Sequence, residues 1–198
     1  MSALGELYNE IESCKLCDGL ATTRNKVVPG EGADTAKIVF IGEAPGFHEN
    51  QQGRPFVGQA GQFLDQLLSS IGLKRDDVYI CNVIKCRPPE NRDPLPAEIA
   101  NCQRWLDRQL ELISPQMIVT LGRFSLAKFF PGETIGKIHG KERNRDGVVY
   151  FPMYHPAAAL HQQSLRQTIE GDMLKIPSIL AQVNAVEEES NPQQLSMF

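Results

Sequence analysis

The chain has 198 residues, a formal net charge of −4 and 41% hydrophobic residues, which bounds it to one domain able to bury a sizeable core. That acidic balance excludes a chain that is basic throughout, so a nucleic-acid partner would have to meet a local patch. No apolar run approaches the roughly 20 residues of a membrane span, and an N-terminus carrying Glu6, Glu10 and Glu12 does not read as a signal peptide. A cytoplasmic monomer is expected.

Leu4, Leu7, Tyr8 and Ile11 recur at helical spacing over residues 2–13 and deliver Cys14 and Cys17 at the end of that helix. Residues 18–34 read as loop. Residues 38–41 are an unbroken apolar run, as in a strand buried on both faces of a parallel sheet. Gly42, Pro45 and Gly46 break the chain after it, and Glu43, Glu49 and Phe56 fall in the loop that follows. A helix is expected from about 57 to 70, stopped by Gly72. Residues 78–84 read as a second buried strand, halted before Pro88 and Pro89. Pro94 and Pro96 suit entry to a helix whose apolar face is Ile99, Cys102, Trp105, Leu106 and Leu110. Residues 117–121 form a third strand, with Gly122 opening a short helix. The stretch 132–147 is polar and basic, with Lys137, His139, Lys141, Arg143 and Arg145. A fourth strand covers 148–151, and a last helix spans roughly 164–183. The acidic, polar stretch 184–193 is expected to be disordered.

Strand and helix alternating four times over indicate an α/β fold, a parallel sheet with helices on both faces. Glu43, Asn82 and His155 each fall at or just past the end of an expected strand, the edge where such a sheet holds its crevice. Each of these residues also has an ordinary reading. Glu43 and Glu49 could be solvated loop charges or charges at a helix N-terminus. Asn82 could cap a turn, Phe56 could be core, and His155 could be satisfied at a proline-stiffened turn. Five cysteines in a reducing compartment read as metal or redox chemistry before disulfides. Four thiolates can hold zinc as well as an iron–sulfur cluster, and spacing does not decide between them. Cys81, on a buried strand, reads as a small apolar residue.

Four motifs occur in order: Gly42-Glu43-Ala44-Pro45-Gly46, Gly53-Arg54-Pro55-Phe56-Val57-Gly58, Asn82-Val83-Ile84-Lys85-Cys86-Arg87-Pro88-Pro89-Glu90-Asn91-Arg92 and Tyr154-His155-Pro156-Ala157. With the cysteines, they resemble the iron–sulfur uracil-DNA glycosylases of family 4, over about residues 1–182. The resemblance implies a three-layer α/β/α sandwich around a four-stranded parallel sheet, in a domain covering 1–183. It also implies hydrolytic removal of uracil from single- or double-stranded DNA, in base excision repair at the nucleoid. It further implies a [4Fe–4S] cluster on Cys14, Cys17, Cys86 and Cys102, structural because hydrolysis needs no electron; zinc stays open on spacing alone.

In that role Phe56 stacks on the flipped base, while Asn82 accepts from uracil N3–H and donates to O4, a polarity that cytosine reverses. His155, with backbone N–H groups of the turn from Gly42 to Ala44, stabilises the anion developing on O2. Ala44 stands where related classes carry Asp or Asn, so Glu43 or Glu49, with Asn91 as partner, is left to position the attacking water. Glu49 could instead face the C5 side, where thymine carries its methyl. DNA contacts are expected from Arg87, Arg92, Lys137, His139, Lys141 and Arg143. Leu160 is the available wedge, although Ala159 stands where a bulkier residue is expected.

His139 stands where the family commonly shows arginine. A related class of uracil-binding proteins uses a histidine in this loop to bond covalently to the abasic sugar, so a covalent binder is the second reading. A non-catalytic, metal-stapled DNA-binding module is the third. Gln194, Leu195, Met197 and Phe198, at the end of a flexible tail covering 184–198, resemble the short peptide that bacterial proteins insert into the sliding clamp.

Overall fold

The computed structural model describes residues 2–190. Its centre is a parallel sheet of β2 (Ile38–Gly42), β3 (Tyr79–Asn82), β4 (Met117–Leu121) and β6 (Val148–Met153), flanked by β1 (Glu31–Gly32) and β5 (Arg143–Arg145). The order is β1-β3-β2-β4-β6-β5, with both edge strands antiparallel to their neighbours. The four expected parallel strands are therefore present, within a six-stranded sheet. The edge strands escaped the sequence reading because β1 is two residues long and β5 is Arg-Asn-Arg, without an apolar side chain. Asp146 and Gly147 turn β5 into β6 at positive φ (53° and 79°), the Asp-Gly hairpin signal that the basic stretch concealed.

Successive strand residues point to opposite faces. Ile38 and Phe40 pack on one side with Phe63, Leu64 and Leu67 of α4 (Gln59–Ser70) and with Ile169 and Met173 of α9 (Gln163–Met173). Val39 and Ile41 pack on the other with Leu7 and Ile11 of α1 (Ala3–Ser13) and with Trp105 and Leu106 of α5 (Pro96–Ile113). The result is three layers, with the sheet buried from both sides.

Three expectations change. Short helices α2 (Asp18–Thr23), α3 (Phe47–Gln52) and α7 (Ile135–Ile138) occupy stretches not read as helix, too short to show a helical period, whereas α6 (Arg123–Phe129) is the short helix expected after Gly122. The last helix is two, α9 and α10 (Ile176–Ser190), because Pro177 lacks the N–H needed to continue through the first turn of α10. Helix α10 runs to Ser190, into the stretch expected to be disordered. The clamp-like residues Gln194 to Phe198 lie outside the described residues. No described helix is long and apolar enough to cross a membrane.

Candidate active site

A cleft of about 300 Å³ opens at the carboxyl ends of β2, β3 and β6, the small end of the range for ligand sites. Glu43, Ala44, Glu49, Phe56, Asn82 and His155 line it, with Asn91 and Arg92 at one side. The structure thus gathers onto one hollow residues spread over more than a hundred positions of sequence.

Asn82 ends β3 and is 2% exposed, yet its Oδ1 has no hydrogen-bond partner among the described residues. Buried acceptors almost always find a partner, in the protein or in solvent, so this oxygen is placed to receive a donor from whatever enters the cleft. Gly42, at the end of β2, keeps that space open. A Cβ there would lie 2.4 Å from Asn82 Oδ1 and 2.6 Å from the Phe56 ring.

Phe56 is buried with φ of 52°, a left-handed conformation unusual for a bulky residue. Its neighbours over-determine it. The Glu49 carboxylate accepts from the N–H of Gly46 (3.1 Å), Val57 (2.8 Å) and Gly58 (2.9 Å). Arg75 donates to the carbonyls of Pro55 and Phe56. Gly61 has to be glycine, since a Cβ would sit 1.8 Å from Phe56 O. Three backbone contacts engage both oxygens of Glu49 and stitch α3 to the entrance of α4. Nothing in sequence flagged Arg75, which follows an unremarkable Leu-Lys pair at a helix-loop boundary.

His155 caps α8 (Pro156–His161): its Nδ1 accepts from the Ala157 N–H at 3.1 Å. An acceptor at Nδ1 leaves the imidazole proton on Nε2. Burial lowers the His155 pKa to about 4, partly countered by the Glu49 charge, so the ring is neutral near pH 7. It stacks on Phe56, ring centroids 5.5 Å apart and planes 26° from parallel.

Burial, reinforced by the Asp93 charge and opposed by Arg123, pushes the Glu43 carboxyl above the usual carboxylate range. Asn91 Oδ1 accepts from Arg87 Nε at 2.7 Å. Arg92 is held by Glu98 through two contacts, at 3.0 and 2.7 Å, and Arg143 pairs with Glu133. Lys141 donates to the Lys137 carbonyl, and neither lysine pairs with a carboxylate among the described residues. His139 does not line the cleft: its Nδ1 meets buried Asp172 at 2.6 Å, and its ring packs on Tyr154. Leu160 is 42% exposed on α8, whereas Ala159 is core.

The other chemistry-bearing cluster lies on the face of the sheet covered by α1 and α5. Cys14, Cys17, Cys86 and Cys102 line one hollow between α1, α2 and α5. Among the described residues no three ligating side chains converge tightly enough to hold a single metal ion. The surroundings nevertheless fit an anionic group larger than one ion. Arg24 donates to Cys86 Sγ, Asn101 to Cys17 Sγ and the Lys85 N–H to Cys102 Sγ. Lys85 is 1% exposed and gives its ammonium to the Asn82 carbonyl at 2.8 Å, with no carboxylate partner among the described residues. A buried cation so placed calls for negative charge beside it. Burial raises the Cys102 thiol to about 12 and raises Cys17 and Cys86 as well, so these sulfurs stay protonated unless a cation claims them.

The profile of the uracil DNA glycosylase superfamily matches residues 29–174, which contain the whole cleft. A type-4 uracil-DNA glycosylase of Archaeoglobus fulgidus is 48% identical over 89% of this chain and 92% of its own length. That of Sulfurisphaera tokodaii is 48% identical over 89% and 84%. A type-5 uracil-DNA glycosylase of Pyrobaculum aerophilum is 32% identical over 83% and 87%. With the fold, the cleft and these likenesses in agreement, the chain belongs to the uracil DNA glycosylase superfamily, where it stands with the type-4 uracil-DNA glycosylases.

Proposed function

We propose that the chain excises uracil from DNA by hydrolysing its N-glycosidic bond, leaving an abasic site for repair. The observation that carries this is the unpartnered, buried Oδ1 of Asn82 facing the same hollow as a neutral imidazole. Uracil supplies what both lack. Its N3–H satisfies Asn82 Oδ1, its O4 takes the Asn82 amide, and its O2 takes the His155 Nε2–H. Cytosine would set an acceptor against Oδ1 and a donor against the amide, leaving buried groups unpaired at about 1–3 kcal/mol each. Phe56 provides the flat wall on which the extruded ring stacks.

As the C1′–N1 bond breaks, its electron pair moves into the uracil ring and charge gathers on O2. A preorganised neutral donor such as His155 stabilises that anion by about 3–4 kcal/mol. Water adds its oxygen to C1′ and gives up a proton. Glu43, at the cleft wall, orients that water and receives the proton, while Glu49 is committed to three backbone N–H groups and shapes the loop. Arg87, Lys137 and Lys141, whose charges no carboxylate engages among the described residues, meet phosphates around the opening, and Leu160 fills the gap left by the base; Arg92, His139 and Arg143 are held by Glu98, Asp172 and Glu133. Asn91 steadies Arg87.

Cys14, Cys17, Cys86 and Cys102 would hold a [4Fe–4S] cluster, which when bound fastens the N-terminal arm to the segment after β3. Lys85 supplies its counter-charge and ties that segment to Asn82. The test of the whole reading is incubation with a uracil-containing oligonucleotide at a low enzyme ratio, followed by alkali. Cut product in excess over enzyme is expected. Product capped at one per enzyme, with an SDS-resistant protein–DNA band, would replace this reading by covalent capture through His139.

A further inference from the structure

The loop from β2 to α4 carries two phenylalanines with opposite fates. Phe56 is buried in the cleft wall, whereas Phe47, at the start of α3, is 52% exposed. Phe47 directly follows Gly46, which lines the cleft. The Arg87 guanidinium lies over its ring, Cζ 5.3 Å from the centroid, and Arg87 Nε in turn donates to Asn91, another residue of the cleft lining. The edge of His48 braces the ring at 5.5 Å and 82°. Arg92 and Arg123, also beside the cleft, are each neutralised by a carboxylate. Arg87 has no such partner among the described residues, so its charge stays available.

An exposed aromatic ring paired with an uncommitted guanidinium is the combination that receives a nucleobase on its π-face and the adjoining phosphate on the cation, with little regard to sequence. Extruding one nucleotide strips its neighbour of a stacking partner, and a ring at the cleft mouth can replace it. We propose that Phe47 and Arg87 form a stacking subsite for the nucleobase next to the extruded uracil on the same strand. This rests on the reading of the cleft as the uracil site. The subsite deepens that reading by naming a second base that the protein holds, one met most readily in single-stranded DNA.

The test uses single-stranded oligonucleotides with one uracil, in which the base on its 5′ or its 3′ side is replaced by a tetrahydrofuran spacer. For the wild-type protein, the spacer on one side should raise KM roughly tenfold, the factor that loss of one stacked base gives, and on the other side change it little. Phe47→Ala should raise KM by a similar factor on the all-base substrate and be insensitive to the spacer, so that the two proteins converge on that substrate. Phe47→Trp should keep the wild-type spacer response. Independent effects, in which Phe47→Ala still loses the full factor when the spacer is introduced, would overturn the subsite while leaving uracil excision intact. Failure of the wild-type protein to excise uracil from any of these strands would instead remove the reading on which the subsite rests.

Discussion

Arg75 donates to the carbonyl oxygens of Pro55 and Phe56, at 2.5 and 3.0 Å, and so grips from outside the cleft the residue that forms its aromatic wall. A bulky residue at φ 52° carries about 1–3 kcal/mol of strain, and Arg75 on the carbonyls of Pro55 and Phe56, with Glu49 on the N–H groups of Val57 and Gly58, offsets that cost. Arg75 is itself anchored by Glu31 and Asp65. Arg75→Ala leaves two carbonyls and two carboxylates without their donor and is expected to lower stability by about 2–4 kcal/mol. It should also raise KM more than it lowers kcat, with partial recovery in Arg75→Lys. Urea unfolding and steady-state kinetics measure both.

The two cleft carboxylates should separate by readout. Glu49→Gln leaves one acceptor oxygen for three N–H groups, so its principal effects should be on Tm and KM. Glu43→Gln should lower kcat by about 10²–10⁴ and raise Tm. The sign follows from burial. The folded carboxyl titrates above its unfolded value, so the folded state binds more protons between the two values and stability falls as pH rises through that window. An uncharged amide removes that penalty. For the wild type, kcat should fall on acidification through the raised Glu43 pKa, and thermal shift with pH-rate profiles compares the two variants.

His155 should leave no mark near pH 6.5 in the activity profile, because the folded ring takes a proton only at about 4. The sign for stability is opposite to that of Glu43. The unfolded imidazole binds a proton at about 6.5 and the folded one does not until about 4, so stability is full above the upper value and falls as pH drops between them. His155→Ala should remove that dependence and lower kcat by about 10²–10³. Imidazole nitrogen shifts by NMR should report a proton on Nε2 at neutral pH.

Asn82 offers a sharper separation of stability from activity. Its Oδ1 has no hydrogen-bond partner among the described residues, so Asn82→Ala breaks no protein contact of that oxygen. Stability within about 1 kcal/mol of wild type is expected, alongside the loss of discrimination between uracil and cytosine. A large destabilisation would show that a partner satisfies Oδ1 in the free protein.

Much of this was legible in the sequence where a residue's role is local. The apolar run of β2 and the residues breaking it foretold a strand end and a site loop, and Glu43, Asn82 and His155 each declared a strand terminus. What stayed hidden depends on partners distant in sequence. Glu49 reads as one more acidic residue until Val57 and Gly58 turn their N–H groups onto it, and Arg75 lies twenty residues from the carbonyl of Pro55. The orphaned state of Asn82 Oδ1 is a property of packing that no pattern encodes. The hairpin at Asp146 and Gly147 was hidden for another reason: its charged first strand carries no alternation to read.

The cysteine cluster makes its own prediction. Protein purified without oxygen should carry iron and sulfide in a near-equal ratio, and Cys102→Ser should lose both together with protease resistance of α1. Lys85→Met, which removes the buried counter-charge, should lower iron retention even though it touches no sulfur. Stoichiometric zinc in place of iron would set aside the cluster and keep the staple.

The central claim is tested most directly by a crystal structure of the protein with abasic product DNA and free uracil. The account expects the ring flat against Phe56, N3 within hydrogen-bond reach of Asn82 Oδ1 and O2 within reach of His155 Nε2. Uracil bound elsewhere, or seated in the cleft with Asn82 Oδ1 still unpartnered, would contradict it.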